Sequence, residues 1–152
     1  MKSLGRPRDR DELIKRLRRL RADSTRRWGR MSAHQMVCHL NDSLLLATGQ
    51  RAVSHAITLP SRTIIKWIAL YLPLRWPPGI LTRPEVDQEA GGTRPGDFQT
   101  DVARQEALLE EVIAQRGKLG GAVHPIFGRM SERAWLRWAY LHTDHHLRQF
   151  GT

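Results

Sequence analysis

The apolar residues of this 152-residue chain recur mostly with the period of a helix. Leu13, Ile14, Leu17 and Leu20 mark a first helix from about Arg8 to Ala22, its arginines facing solvent. Asp9, Asp11 and Glu12 crowd its first turn, where carboxylates suit the helix dipole. Residues 1–7 read as a frayed or loosely docked start. A second helix runs from about Ala33 to Thr48. Ser32 with Gln35 makes a capping box, Met31 with Met36 suits a hydrophobic staple, and Gly49 suits the position after the end. The apolar segment from about Ile64 to Leu74 is far too short to span a bilayer and reads as a buried third helix ending at Pro73. Its Trp67 and Tyr71 are expected to pack into the core or a dimer face. Thr82 to Asp97 is a long loop, either a lid or plain connection. A fourth helix follows from about Phe98 to Gln115, with Val102, Leu108, Leu109, Val112 and Ile113 as its stripe. No strand and no internal repeat is expected. The pattern predicts one all-α domain over 1–152, a four-helix bundle with one extra short helix.

The final helix, Ser131 to Phe150, carries the most chemistry. Ser131 is a candidate N-cap with Glu132 in the first turn. At helical spacing Trp135, Trp138, Ala139, His142, His145, His146 and Gln149 fall within about 60° of one direction, and Arg133, Arg137, Tyr140, Asp144 and Arg148 fall opposite. The inward face therefore holds two tryptophans, three imidazoles and an amide, which is costly unless the polar groups find partners. His142 and His146, at i,i+4, project side by side, a common way for a helix to give two nitrogens to one metal ion. A transition-metal site usually takes at least three protein ligands. His39 on the second helix is the natural third, inward with Ser43 and with Asp42 as a partner or a nearby polar group. His34 points elsewhere, toward surface or cap. Cys38 reads as a small buried hydrophobe and His124, beside Pro125, as a hydrogen-bonding anchor or pocket residue.

Composition narrows the classes. A single cysteine excludes an intrachain disulfide and a cysteine-based metal cluster. The start lacks an apolar signal-peptide core, so a cytoplasmic protein with no membrane partner is expected. The formal charge of +10 is mostly local, with twelve Lys/Arg against four Asp/Glu in the first thirty residues. No aromatic interleaving or nucleic-acid motif accompanies that charge, so specific nucleic-acid binding is not expected.

Three motifs occur together: W-G-x-M-S-x-x-Q-M-x-x-H-L (Trp28 to Leu40), H-P-x-F-G (His124 to Gly128) and H-x-D-H-H-L-R-Q-F (His142 to Phe150). With them the chain resembles the DinB-like superfamily, and more closely an uncharacterised bacterial branch of it. The resemblance covers nearly the whole chain. It implies a four-helix bundle binding a divalent metal (Zn, Ni, Fe or Mn) through three histidines, by position His39, His142 and His146. It places His145 and Gln149 beside the ligands. It also implies a small-molecule substrate, with a low-molecular-weight thiol as cosubstrate in some members, and bundle-face homodimers. The expected function is thus a metal-dependent thiol transferase or hydrolase. The alternative is a non-enzymatic metal- or ligand-binding stress-response module, and a basic nucleic-acid-binding protein ranks below both. There is no H-E-x-x-H, since Thr143 follows His142, so a zincin protease lacks its glutamate.

Overall fold

A computed structural model describes residues 1–80 and 82–152. The described residues are mostly helical, with five α-helices and one small hairpin: α1 (Pro7–Leu17), α2 (Ala33–Ala47), α3 (Lys66–Tyr71), α4 (Phe98–Ala114), β1 (Val123–His124), β2 (Gly128–Arg129) and α5 (Glu132–Gln149). The four longer helices share one core, in which α1 packs on α5 and α4, and α2 on α4 and α5. Leu13, Leu17, Met36, Leu40, Leu44, Leu108, Leu109, Trp135 and Leu147 are sealed from solvent there.

Local chemistry sets the boundaries. Ser32 accepts from the Gln35 backbone N–H at 3.1 Å while the Gln35 side chain accepts from the Ser32 N–H at 2.8 Å, so the capping box forms. Such a cap stabilises a helix start by about 1 kcal/mol. Ser131 caps α5 in the same sense, accepting from Ala134 N–H. Gly49, at φ +76°, lets the chain leave α2.

Five expectations need correction. The start of the chain is docked: Leu4 is fully buried and its N–H donates to Leu136 O at 3.0 Å. Helix α1 is shorter than expected, ending at Leu17, although Leu20 still reaches the core. The polar side of α5 is covered by these elements. Arg137 and Tyr140 are buried, the former donating to the carbonyls of Leu70 and Lys2, and Arg16 bonds Asp144 at 2.6 Å. Helix α5 is therefore central, and the guanidinium is tolerated because buried backbone carbonyls need donors.

The third helix is not buried. A π-helical turn, Ser61–Ile65, leads into the short α3, and only Leu70 is fully covered. Trp67 is 56 % exposed, and Leu59, Ile64 and Leu74 are more so. Apart from Lys66 the run is apolar and gave no clear side to distinguish, and the six-residue helix can turn only one face to the core. Lastly, a pair of two-residue strands does form, with Val123 opposite Arg129 and His124 opposite Gly128. Among the described residues, no helix is long and apolar enough to cross a membrane.

Candidate metal centre

Helices α2 and α5 bring His39, His142 and His146 together. One ring nitrogen of each lies within 4.8 Å of the others. His39 Nε2 is 3.2 Å from His142 Nε2. Two Zn–N bonds of about 2.05 Å at a tetrahedral angle would separate their nitrogens by roughly 3.3 Å.

The far side of two rings is tied down. His39 Nδ1–H donates to Val86 O at 2.7 Å. His146 Nδ1–H donates to Gln149 Oε1 at 2.9 Å, and Gln149 Nε2–H in turn donates to Trp28 O at 2.8 Å, which fixes the amide's orientation. These acceptors place the proton on Nδ1 and leave each Nε2 lone pair aimed at the common point, the usual arrangement behind metal-ligating histidines. His142 is held differently, stacked on Trp138 with ring centroids 4.9 Å apart. Burial pushes the pKa of all three imidazoles down, His142 and His146 well down, and for those two the neighbouring rings push the same way. Neutral imidazoles with inward lone pairs are the form that binds a cation. The donor set thus fits a divalent transition metal held by nitrogen.

Two glycine-dependent approaches support this. A Cβ on Gly29 would lie 2.5 Å from Gln149 Nε2, and Gly29 sits at φ +77°. Gly128, at φ +70°, closes the hairpin that carries His124. Only glycine takes such φ values without strain. His124 Nδ1 accepts from the backbone N–H of Ile126 and Phe127, both at 3.1 Å, and the ring also lines the cavity. Burial lowers its pKa to about 3.

The remaining candidates divide. His145 is buried beside His146, with ring centroids 5.1 Å apart, and its Nδ1 has no partner among the described residues. Ser43 lines the cavity. Asp42 is fully buried but bonds no histidine. It accepts from Arg51 Nη1 and Thr93 Oγ1 at 2.7 Å, from Thr93 N–H at 2.8 Å and from Gln88 Nε2 at 3.0 Å. Its work is indirect: it pins the loop whose Val86 carbonyl holds His39. That carbonyl was invisible in the sequence, because backbone acceptors carry no residue signature. Trp28 and Trp76 were missed as cavity walls for a similar reason, since both lie outside the long helices.

His34 and Cys38 join Asp101 instead. Asp101 Oδ2 accepts from His34 Nε2 at 2.7 Å, Gly96 N–H at 3.2 Å and Cys38 Sγ at 3.5 Å. Burial, then the carboxylate, raises the Cys38 thiol to about 12.

The three histidines form the floor of a cavity of about 940 Å³ whose walls are mostly apolar. Much of the charge of the basic N-terminal region is paired with carboxylates. Arg10 pairs with Glu110, Arg16 with Asp144, Arg18 with Glu106, and Arg30 with Asp87 and Glu89.

Over residues 4–152 the chain matches the family described as protein of unknown function (DUF1569), and it belongs to that family. No curated protein and no solved structure matches it.

Proposed function

We propose that the chain is a DinB-like four-helix bundle and a divalent-metal-dependent enzyme, a low-molecular-weight-thiol transferase or a hydrolase. The observation that carries the reading is the convergence of His39, His142 and His146 at the floor of an open cavity. A purely structural ion is usually enclosed by four protein ligands, whereas three ligands facing a cavity suit a reactive site. A divalent ion there would lower the pKa of a bound thiol or water and polarise an electrophile.

The chain's own groups have separate roles in this reading. Val86 O and Gln149 Oε1 keep His39 and His146 in the ligating tautomer. His145 Nδ1, buried and unpartnered among the described residues, is the group placed to take or give a proton beside the ligands. Apolar walls would bury the non-reacting part of a substrate.

The test is metal content by plasma mass spectrometry on tag-free protein, with single alanine variants of the three histidines, followed by turnover with a thiol and a generic electrophile. One equivalent of metal is expected, lost in each variant while the helical circular dichroism survives, with turnover abolished by chelation. No metal in the wild type after adding Zn, Ni and Mn would remove the enzyme reading. Metal without turnover across several thiols and esters would favour a non-enzymatic binding module.

A further inference from the structure

We propose that the cavity takes a mainly apolar organic molecule carrying an anionic group at its outer end. Which end reacts rests on the metal-enzyme reading above; which molecule binds does not.

The volume comes first. At about 940 Å³ the cavity lies near the upper end of the usual ligand-pocket range of roughly 300–1,000 Å³, so it suits an organic molecule well beyond the size of an inorganic ion. The distribution of polarity comes next. Trp138 and Trp76 flank His142 near the floor, with ring centroids 4.9 and 6.2 Å from its own. Toward the mouth the wall continues as Ile65, Ile68, Leu74 and Ile80, which are 38–60 % exposed. Polar groups gather at the floor, among the imidazoles and Gln149. A sugar or peptide spanning the cavity would set its hydroxyls and amides against carbon, at the cost of unmade hydrogen bonds. An alkyl or aryl body would instead exchange water for contact along the whole wall.

Charge decides the outer end. Three arginines line the cavity. Arg30 is occupied by Asp87 and Glu89, and Arg83 by Ser54. Arg75, exposed between Leu74 and Trp76, makes no side-chain hydrogen bond or ion pair among the described residues. The one lining acid, Asp87, is engaged with Arg30. From Ser43 through Pro84 the chain has no acidic residue, yet it carries Arg51, Arg62, Lys66, Arg75 and Arg83. A cationic head group at this mouth would be repelled. An anionic one finds a guanidinium with its donors free for a paired, charge-assisted contact.

The test titrates metal-stripped and zinc-loaded protein with octanesulfonate, octyltrimethylammonium, octanol and ethanesulfonate, read by calorimetry and by tryptophan fluorescence. Sulfonate is chosen because it is a poor ligand for metal and keeps the anion from seeking the floor. Octanesulfonate is expected to saturate one site about tenfold or more tighter than octyltrimethylammonium, the scale of one charge-assisted pair. Ethanesulfonate, lacking the apolar body, is expected not to bind. Arg75→Gln should weaken octanesulfonate by about tenfold while leaving octanol unchanged. Equal affinity for the octyl anion and cation, no saturable octyl binding, or an unchanged Arg75→Gln variant would overturn the proposal. The outcomes stay separable from the metal reading. A wild type that takes up no zinc yet prefers octanesulfonate keeps this inference and removes the enzyme reading, and a zinc-loaded protein that ignores every octyl probe does the reverse.

Discussion

Two clusters of ligand-type side chains hang from α2. One runs from His39 toward α5, the other from His34 and Cys38 toward Asp101 on α4. Residue types alone would favour the second, since it offers imidazole, thiol and carboxylate at once. The geometry favours the first. Around Asp101 every donor has an acceptor: an imidazole, a thiol and a backbone N–H all point at one carboxylate oxygen, and the cluster is satisfied without a cation. Around His39 the protons of His39 and His146 are drawn outward to Val86 and Gln149, and lone pairs are left facing one another. The difference lies in where the hydrogens are, more than in which elements are present.

The comparison is broken most directly by removing the outward acceptors. Gln149→Ala should weaken zinc binding by about 10- to 100-fold, the usual cost of losing a partner behind a ligating histidine. Asp101→Ala, measured in the same competition titration with a chromogenic chelator, should leave the zinc affinity unchanged. An equal effect of the two would mean that the α4 cluster also holds metal.

Proton uptake sharpens the contrast with a third environment. His124 is neutral because its ring is buried and its Nδ1 serves the hairpin N–H groups. Its pKa is about 3 in the fold against 6.5 when exposed, so the unfolded chain binds the extra proton across that window. Stability is therefore fully present above pH 6.5 and falls as the pH drops toward 3, by up to about 1.4 kcal/mol per pH unit. His124→Asn keeps an acceptor for the two N–H groups and removes the titration. Urea melts of the metal-stripped protein should then show a slope against pH that is shallower in the variant by one proton. Parallel slopes would assign the acid sensitivity to other groups.

The smallest effect belongs to Cys38. Buried and raised to about 12, its thiol should resist iodoacetamide in the native protein at pH 8 and react fully in denaturant, as followed by mass spectrometry. Rapid native modification would mean that the α4 cluster opens, and the claim that it is self-satisfied would fail.

What the sequence made legible follows from periodicity. On α2 and α5 the 3.6-residue repeat put His39, His142 and His146 on facing sides, and capping residues located both helix starts within a residue. Where one side of a helix is not unique, the repeat misleads. Arg137 and Tyr140 sit on the polar side of α5 yet are buried, because the N-terminal segment with Leu4 supplies a second covering layer. The run from Ile64 to Leu74 is apolar apart from Lys66, so little in it said that most of it stays outside. Gly29 was legible only as part of a motif, and its reason, the room it leaves for Gln149, needed the tertiary approach.

The buried Asp42 carries one more consequence, for motion. Three of its four hydrogen bonds clamp the turn from Pro84 to Thr93 against α2, and the fourth holds Arg51, which itself donates to Glu85 O and Gly91 O, so one side of the cavity is a fixed jamb. The opposite side is built on the short α3, where Leu70 is sealed and its carbonyl accepts from Arg137 but Trp67 and Ile68 are exposed, the profile of a segment that opens at lower free-energy cost than the clamped turn. That asymmetry predicts that traffic in and out of the cavity passes the α3 side, and backbone amide exchange faster across α3 than across Pro84 to Thr93 would check it.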